Sequence, residues 1–212
     1  NLSLIGPYNT DWQSKIYESV VSHDHNLNFT GGIKNLPYRL SGGYTDQKGI
    51  LKGGDMQRLT GDISLSPSLL DDHLKFDINA KGMHVENVFA NEGAIGAAVA
   101  MDPTQPVYDY STDYTGGFYF WRNADHTPNT LATSNPVSLL DLYHSTSKVN
   151  RLIGNIQTEY KVHFLPDLKL KLNLGLDQSY SSGFVTNKMG APINYATYGG
   201  KGKYEYYTQG KR

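Results

Sequence analysis

Leu168-Lys169-Leu170-Lys171-Leu172-Asn173-Leu174-Gly175-Leu176 is the stretch on which the fold turns. Leucine takes every second position, with lysine, asparagine or glycine between. Side chains alternate between the two faces of a β-strand, so this segment has one unbroken leucine face and one charged or small face. Upstream of the break Leu165-Pro166-Asp167, the residues Leu152, Gly154, Ile156, Thr158, Tyr160, Val162 and Phe164 alternate with Asn155, Gln157, Glu159, Lys161 and His163. The two runs are expected to form an antiparallel hairpin. Each, at roughly 9 to 11 residues, is long enough to cross a bilayer as a tilted strand.

Composition narrows the class of protein. The net charge of -1 over 212 residues gives no electrostatic case for nucleic acid. No run approaches the roughly 18 apolar residues that a spanning helix needs. Outer-membrane strands are only half apolar, so a low mean hydropathy is compatible with them. The chain contains no cysteine, which removes disulfides and thiolate metal sites. It opens at Asn1-Leu2-Ser3 with no initiator Met or signal peptide and closes at Lys211-Arg212, so a segment of a longer protein is expected.

Read from the start, Gly6-Pro7 belongs to a loop. A short helix is expected from Thr10 or Asp11, where a capping residue precedes Trp12, Ile16, Tyr17, Val20 and Val21 at helical spacing. Four more alternating runs follow, giving six expected strands near residues 25–33, 38–46, 57–66, 73–84, 151–164 and 168–180. A soluble antiparallel sheet also has one apolar and one polar face. Connection lengths favour a membrane wall instead. Links near Lys34–Pro37, Pro67–Asp72 and Leu165–Asp167 are short, whereas Asp46–Asp55, Val85–Lys148 and the stretch beyond Tyr180 are longer. Short and long alternate, as periplasmic turns and outer loops do in such barrels. Tyr38 and Phe164 beside short turns, and Tyr44 and Tyr180 beside long loops, suit two interfacial girdles. In this orientation the first strand descends toward a short turn, so an ascending strand and the start of a loop are expected before Asn1.

The long loop over residues 85–148 is expected to carry structure of its own. Glu92 to Met101 is a small-residue helical segment closed by Asp102-Pro103. Asn135 to Tyr143 is a second helix, with Asn135 as cap and Pro136 at the first helical position. Between them lie Tyr108, Tyr110, Tyr114, Phe118, Tyr119, Phe120 and Trp121. These aromatics either stack on a sugar or peptide ligand or form the private core of the loop. Tyr108, Tyr110 and Trp121 are the candidate ligand contacts.

Several segments carry a family resemblance. Asn9-Thr10-Asp11-Trp12-Gln13, His25-Asn26-Leu27 through Gly31-Gly32, Gly43-Tyr44-Thr45-Asp46-Gln47-Lys48-Gly49-Ile50-Leu51, Glu92-Gly93-Ala94-Ile95-Gly96-Ala97, Met101-Asp102-Pro103-Thr104-Gln105-Pro106-Val107-Tyr108-Asp109 and Asn135-Pro136 resemble the SusC/RagA family of TonB-dependent outer-membrane transporters. They occur in order over nearly the whole chain, and the resemblance weakens beyond about Tyr180. It implies about six strands of a 22-stranded barrel in the outer membrane of a Gram-negative Bacteroidota bacterium, with a plug domain inside. It also implies a SusD-like surface lipoprotein as partner, oligosaccharide or peptide as substrate, and energy passed from TonB-ExbB-ExbD through a plug that residues 1–212 do not include. No substrate contact is carried over from the family.

Other chemistry is weakly signalled. His23 and His25 share a strand face at metal-ligand reach, without a signalled third or fourth ligand. Asp71-Asp72 lies in an expected turn, where aspartate serves the backbone. Asp109, Asp113 and Asp125 lack a calcium-loop pattern. Gly42-Gly43, Gly53-Gly54, Gly116-Gly117 and Gly199-Gly200 do not join a buried strand to a helix, as phosphate loops do. The expected molecule is therefore an all-β, antiparallel, up-and-down transmembrane barrel segment, with short helices in its outer loops and neither cofactor nor enzymatic activity. Arg39, Asp62, Lys75, Asp77, Lys81, Glu159, Lys161, Lys169 and Lys171 would face its lumen. The alternatives are a soluble carbohydrate-binding β-sandwich and, with no pair of carboxylates set apart, a β-fold glycosidase.

Overall fold

The computed structural model of the chain describes residues 5–111, 116–191, 194–195 and 201–211. One antiparallel sheet dominates it. Its strands are β1 (His23–Ile33), β2 (Leu36–Lys48), β3 (Asp55–Leu65), the two-residue β4 (Ser68–Leu69), β5 (Leu74–Phe89), β6 (Tyr143–Lys161), β7 (Lys169–Asn187) and β8 (Lys203–Lys211). They pair in the order β1-β2-β3-β5-β6-β7-β8, with β4 alongside β5. Neighbours in space are thus neighbours in sequence, as in an up-and-down wall.

The register sorts the side chains. Tyr38, Leu65, Ile78, Ile156 and Leu174 face one another in a row across five strands. Arg39, Ser64, Asn79, Asn155 and Gly175 form the row beside it on the opposite face. The apolar face is bare: Leu27 is 66 % exposed, Leu172 56 % and Leu174 58 %. A β-sandwich would lay a second sheet over these residues, and the described residues contain one sheet.

Tyr44, Leu59, His84, Asn150 and Tyr180 make a further row, where the apolar face gives way to polar groups. Beyond it, Glu86 accepts from the Lys148 ammonium at 2.7 Å, and Lys48 pairs with Asp55. Tyr44 and Tyr180 therefore share one register row, along which the apolar face ends. From Leu74 to His84 the strand rises about 33 Å at ~3.3 Å per residue. A barrel tilt of ~40° reduces that to about 25 Å, the height of an outer-membrane apolar band. No matching lower row forms from Tyr38 and Phe164, because Phe164 lies in the turn after β6 and is 90 % exposed.

Several expected boundaries move. The strands on either side of the long loop run to Phe89 and from Tyr143, past the point where residues alternate in polarity. Backbone pairing continues there because Glu86 to Phe89 and Ser145 to Lys148 still exchange ladder hydrogen bonds. A seventh long strand, β8, pairs with the upper half of β7 from Asn187 to Ser179. The helix expected to reach Val21 is the single turn α1 (Trp12–Ile16), capped by Asp11. Tyr17 is already extended and bridges to Leu51, so Val20 and Val21 lie outside it.

The buried core lies in the loops. Alongside α1, the helices α2 (Gly93–Ala100) and α3 (Pro136–Asp141) pack Trp12, Ile16, Ala94, Ala98 and Met101 into one cluster. Phe118, Leu142 and Ala191 form a second, joined to the first through Val107 and Val137.

Candidate ligand-binding site

Sequence-distant segments meet beside this loop core. Residues 6–12 run along residues 102–105 and are fastened by five hydrogen bonds. Gly6 N–H donates to Thr104 Oγ1 at 3.1 Å and Thr10 Oγ1 to the Gln105 carbonyl at 2.7 Å. Tyr8 and Thr10 N–H donate to the Thr104 and Pro103 carbonyls at 3.4 and 2.8 Å, and Trp12 Nε1–H to the Asp102 carbonyl at 3.0 Å. Gly6 is required by the close approach, since a Cβ there would stand 2.1 Å from the Thr104 oxygen. The Asp102 carboxylate sets the turn by accepting from Thr104 N–H and Thr104 Oγ1–H, both at 2.8 Å. Those bonds, the backbone one first and then the hydroxyl, hold Asp102 below the ordinary carboxylate range against the effect of burial.

Asn135 fixes the opposite wall. Fully buried, its side-chain oxygen accepts from Val137 and Ser138 N–H at 3.0 and 3.3 Å, capping α3. Its amide donates to the Val107 and Tyr119 carbonyls at 2.8 and 3.1 Å. Burial, reinforced by the Asp102 charge, pushes the Tyr119 hydroxyl up to about 12, so it stays neutral.

Between these walls opens a cleft of about 520 Å³, lined by Tyr8, Asn9, Asp11, Ser14, Lys15 and Tyr108 among others. Tyr108, half-exposed, stacks on Tyr110 with centroids 6.1 Å apart and planes 10° from parallel. Its other neighbour is the buried Phe118, at 5.3 Å. Of the three aromatics singled out in the sequence, Tyr108 and Tyr110 therefore come together. Trp121 packs edge-on against Tyr119 at 5.7 Å and is not among the cleft's lining residues. Sequence reasoning missed Tyr8, Asn9 and Lys15 because the cleft wall they face, residues 106–108, is far away in sequence, and it read Asp11 as a helix cap.

The remaining titratable candidates find ordinary partners. The Arg122 guanidinium pairs with Asp109. Burial would raise Asp109, but hydrogen bonds from Ser111 and the charge of Arg122 outweigh it and hold the carboxyl low. Asp125 accepts from Thr127 N–H at 3.0 Å, and Asp113 lies outside the described residues. His23 and His25 rings stack 6.1 Å apart. Asp72 accepts from the Ser68 hydroxyl within the turn before β5, where Leu70, Asp71 and Asp72 all have positive φ. No group of three or more potential metal ligands occurs among the described residues.

The polar sheet face carries complementary charges. Arg151 makes a bidentate pair with Asp177 at 2.9 and 2.6 Å. Glu159 lies 3.0 Å from Lys171 and 3.5 Å from Lys169, and Arg39 is 4.0 Å from Asp62. No helix among the described residues is long and apolar enough to cross a membrane.

A meander with one bare apolar band, one charged face and a structured outer loop is the wall of a transmembrane barrel, and comparison with known proteins identifies the class as the TonB-dependent receptors. The TonB-dependent receptor SusC of Bacteroides thetaiotaomicron is 43 % identical over 196 residues, which is 86 % of this chain and 19 % of that protein. The TonB-dependent receptor P3 of Formosa agariphila is 27 % identical over 208 residues, 95 % of this chain and 20 % of that one. Among solved structures, the RagAB peptide importer in its closed-closed state superimposes with a TM-score of 0.66 at 18 % identity, over 87 % of this chain and 20 % of that chain. No family model matches. The chain belongs to the SusC/RagA family of TonB-dependent receptors, and it spans about a fifth of the length of the relatives it matches.

Proposed function

We propose that this chain forms part of the wall and outer loops of an outer-membrane importer that takes up oligosaccharides or peptides together with a SusD-like surface lipoprotein. TonB-ExbB-ExbD would drive it through a plug carried by a segment other than residues 1–212. The observation that carries this reading is the polarity of the sheet: a bare apolar band about 25 Å high backs directly onto a face of paired charges. The apolar face would contact lipid. The charged face would line the lumen, hydrate it and meet the plug.

Residues 1–212 contain no cysteine, so in the assembled receptor, with any cysteine outside them replaced by serine, single introduced cysteines report each face. Leu172→Cys should resist a water-soluble maleimide, whereas Asn173→Cys, on the opposite face, should react. Equal labelling of both would remove the membrane wall, and with it the importer.

A further inference from the structure

We infer that the outward face of the wall holds a seat for one outer-leaflet glycolipid, with an acyl chain in a groove spanning β3 to β7 and its sugars on an aromatic ledge of Phe184, Tyr204 and Tyr206. This assignment rests on the membrane-wall reading and adds a particular lipid class to it.

The groove has its cause in the register. On the outward face the row Gly42-Gly61-Gly82-Leu152-Gln178 lies next to Tyr44-Leu59-His84-Asn150-Tyr180. Gly61 and Gly82 leave space above the backbone, since a Cβ at either would meet nothing closer than 4.0 Å. The result is a depression of about 610 Å³, lined by Leu59, His84, Leu152 and Tyr180 among others, in the range of small-molecule sites. Polar groups border it on the side toward the loops. His84 Nδ1 lies 2.7 Å from Asn150 Oδ1. That oxygen only accepts, so the imidazole donates and Asn150 keeps both amide hydrogens. Gln178 and the Tyr180 hydroxyl have no hydrogen-bond partner among the described residues. On the other side the next row, Leu40-Ile63-Ala80-Gly154-Leu176, is wholly apolar. A hydrocarbon slot bordered on one side by free amide and hydroxyl donors suits an acyl chain at its ester or amide linkage, whose carbonyl accepts.

β7 continues this order toward sugar. Beyond Tyr180 its outward residues are Ser182 and Phe184. Phe184 stands about 13 Å along the strand at ~3.3 Å per residue, or about 10 Å higher at a tilt of ~40°. That is past the acyl chains and level with headgroups. There Phe184 stacks on Tyr204 with centroids 6.0 Å apart and planes 26° from parallel, and His144 packs on its other side at 5.5 Å. Tyr206 pairs with Phe184 in register, and both tyrosines are exposed. These rings face away from the lumen, so no solute in transit reaches them, and they lie too high for hydrocarbon. Flat aromatic surfaces at that height fit the C–H faces of pyranose rings. The Lys148 ammonium between groove and ledge is already paired with Glu86 at 2.7 Å, so recognition falls to acyl chain and sugar instead of phosphate. A protein partner would have no use for a hydrocarbon slot leading up to the ledge.

The test uses the whole receptor in detergent, with deep-rough lipopolysaccharide and phosphatidylethanolamine as probes in native mass spectrometry. The lipopolysaccharide should bind about tenfold more tightly than the phospholipid. Gly82→Leu, which fills the groove, and the double variant Tyr204→Ala/Tyr206→Ala, which strips exposed rings, should each weaken it about tenfold and leave the phospholipid unchanged. Tyr207→Ala, on the lumen face of the same strand, should bind as the parent does. No preference for lipopolysaccharide, or parental affinity in either variant, would overturn the assignment. So would a receptor dimer that the double tyrosine variant breaks apart, which would make the ledge an interface between copies. The membrane wall fails separately, by aqueous labelling of Leu172→Cys; protection of that cysteine without any lipopolysaccharide preference removes the seat alone.

Discussion

The sheet and the loop cluster above it solve opposite solvent problems. The sheet has no buried core: its leucines stay exposed, and its order comes from long backbone ladders such as β6 with β7, paired residue by residue from Tyr143–Asn187 to Lys161–Lys169. The loop cluster has few ladders and a dry centre, with Ile16 at 0 % exposure and Trp12 at 3 %. On the proposed reading a membrane supplies the second layer that the sheet lacks, whereas the loops stand in water and must bury their own aromatics. In one chain, apolar side chains thus mark the outside of one region and the inside of the other.

The largest expected effect separates the two. Trp12→Ala removes the centre of the loop core and the hydrogen bond to Asp102, and should lower local stability of the cluster by about 3 to 5 kcal/mol. Hydrogen exchange should show α2 and α3 losing protection while β6 and β7 keep theirs. Equal loss in both regions would mean that wall and loops are one cooperative unit, and the contrast would collapse.

Leu172→Arg probes the other side. A charge at mid-bilayer should cost about 2 to 4 kcal/mol in urea unfolding from liposomes, while Asn173→Arg, among the charged residues of the opposite face, should cost less than about 1 kcal/mol. If the two substitutions cost the same, the leucine face does not meet lipid. Asn135→Ala returns to the loops. It leaves two helix N–H groups and the Tyr119 carbonyl without their partner, and the Val107 carbonyl with Tyr119 N–H alone, and should cost about 2 to 3 kcal/mol of local stability, read from the exchange of the Val137 and Ser138 amides.

What could be read in the sequence follows from the same contrast. The period-2 pattern of Leu168 to Leu176 needs no tertiary information, so the antiparallel wall was legible. Above the Tyr44–Tyr180 row polar residues mix with Val88, Phe89, Phe184 and Val185 on both faces, the period vanishes, and the strands' upper halves could not be seen although their ladders persist. β8 was lost for a related reason: Tyr204 and Tyr206 sit beside Glu205 and Tyr207 in a stretch that reads as tyrosine-rich loop. α3 was visible because Asn135-Pro136 is a local capping signal. The cleft was legible only in part. Tyr108 and Tyr110 stood out as aromatics, but their juxtaposition with Asn9 and Asp11 depends on the pairing of residues 6–12 with 102–105, which has no periodic signature.

The smallest effect is one of pH, and it tests whether that pairing is the hinge between the chain's beginning and its long loop. Asp102 is held below the usual aspartate range by the N–H and hydroxyl of Thr104, and Thr104 in turn accepts from Gly6 and Tyr8. A carboxylate with a depressed folded value adds stability that is present above the unfolded value, near about 4, and is lost as pH falls through the folded one. Between pH 6 and 5 the Tyr8, Thr10 and Thr104 amides should therefore keep constant protection, once intrinsic exchange is divided out. Below about 4 they should open before the β6–β7 ladder does. Asp102→Asn, which cannot ionise, should show weaker protection at pH 6 and lose the acid dependence. Asp125, held low by Thr127 in a turn away from the cleft, provides the control: Asp125→Asn should leave the acid response of Tyr8 and Thr10 intact. Tyr8 and Thr10 amides that open equally at pH 6 and pH 3 would show that the 6–12 segment is held by the Trp12 core alone, and the cleft's wall would then owe its position to packing instead of to the Asp102 turn.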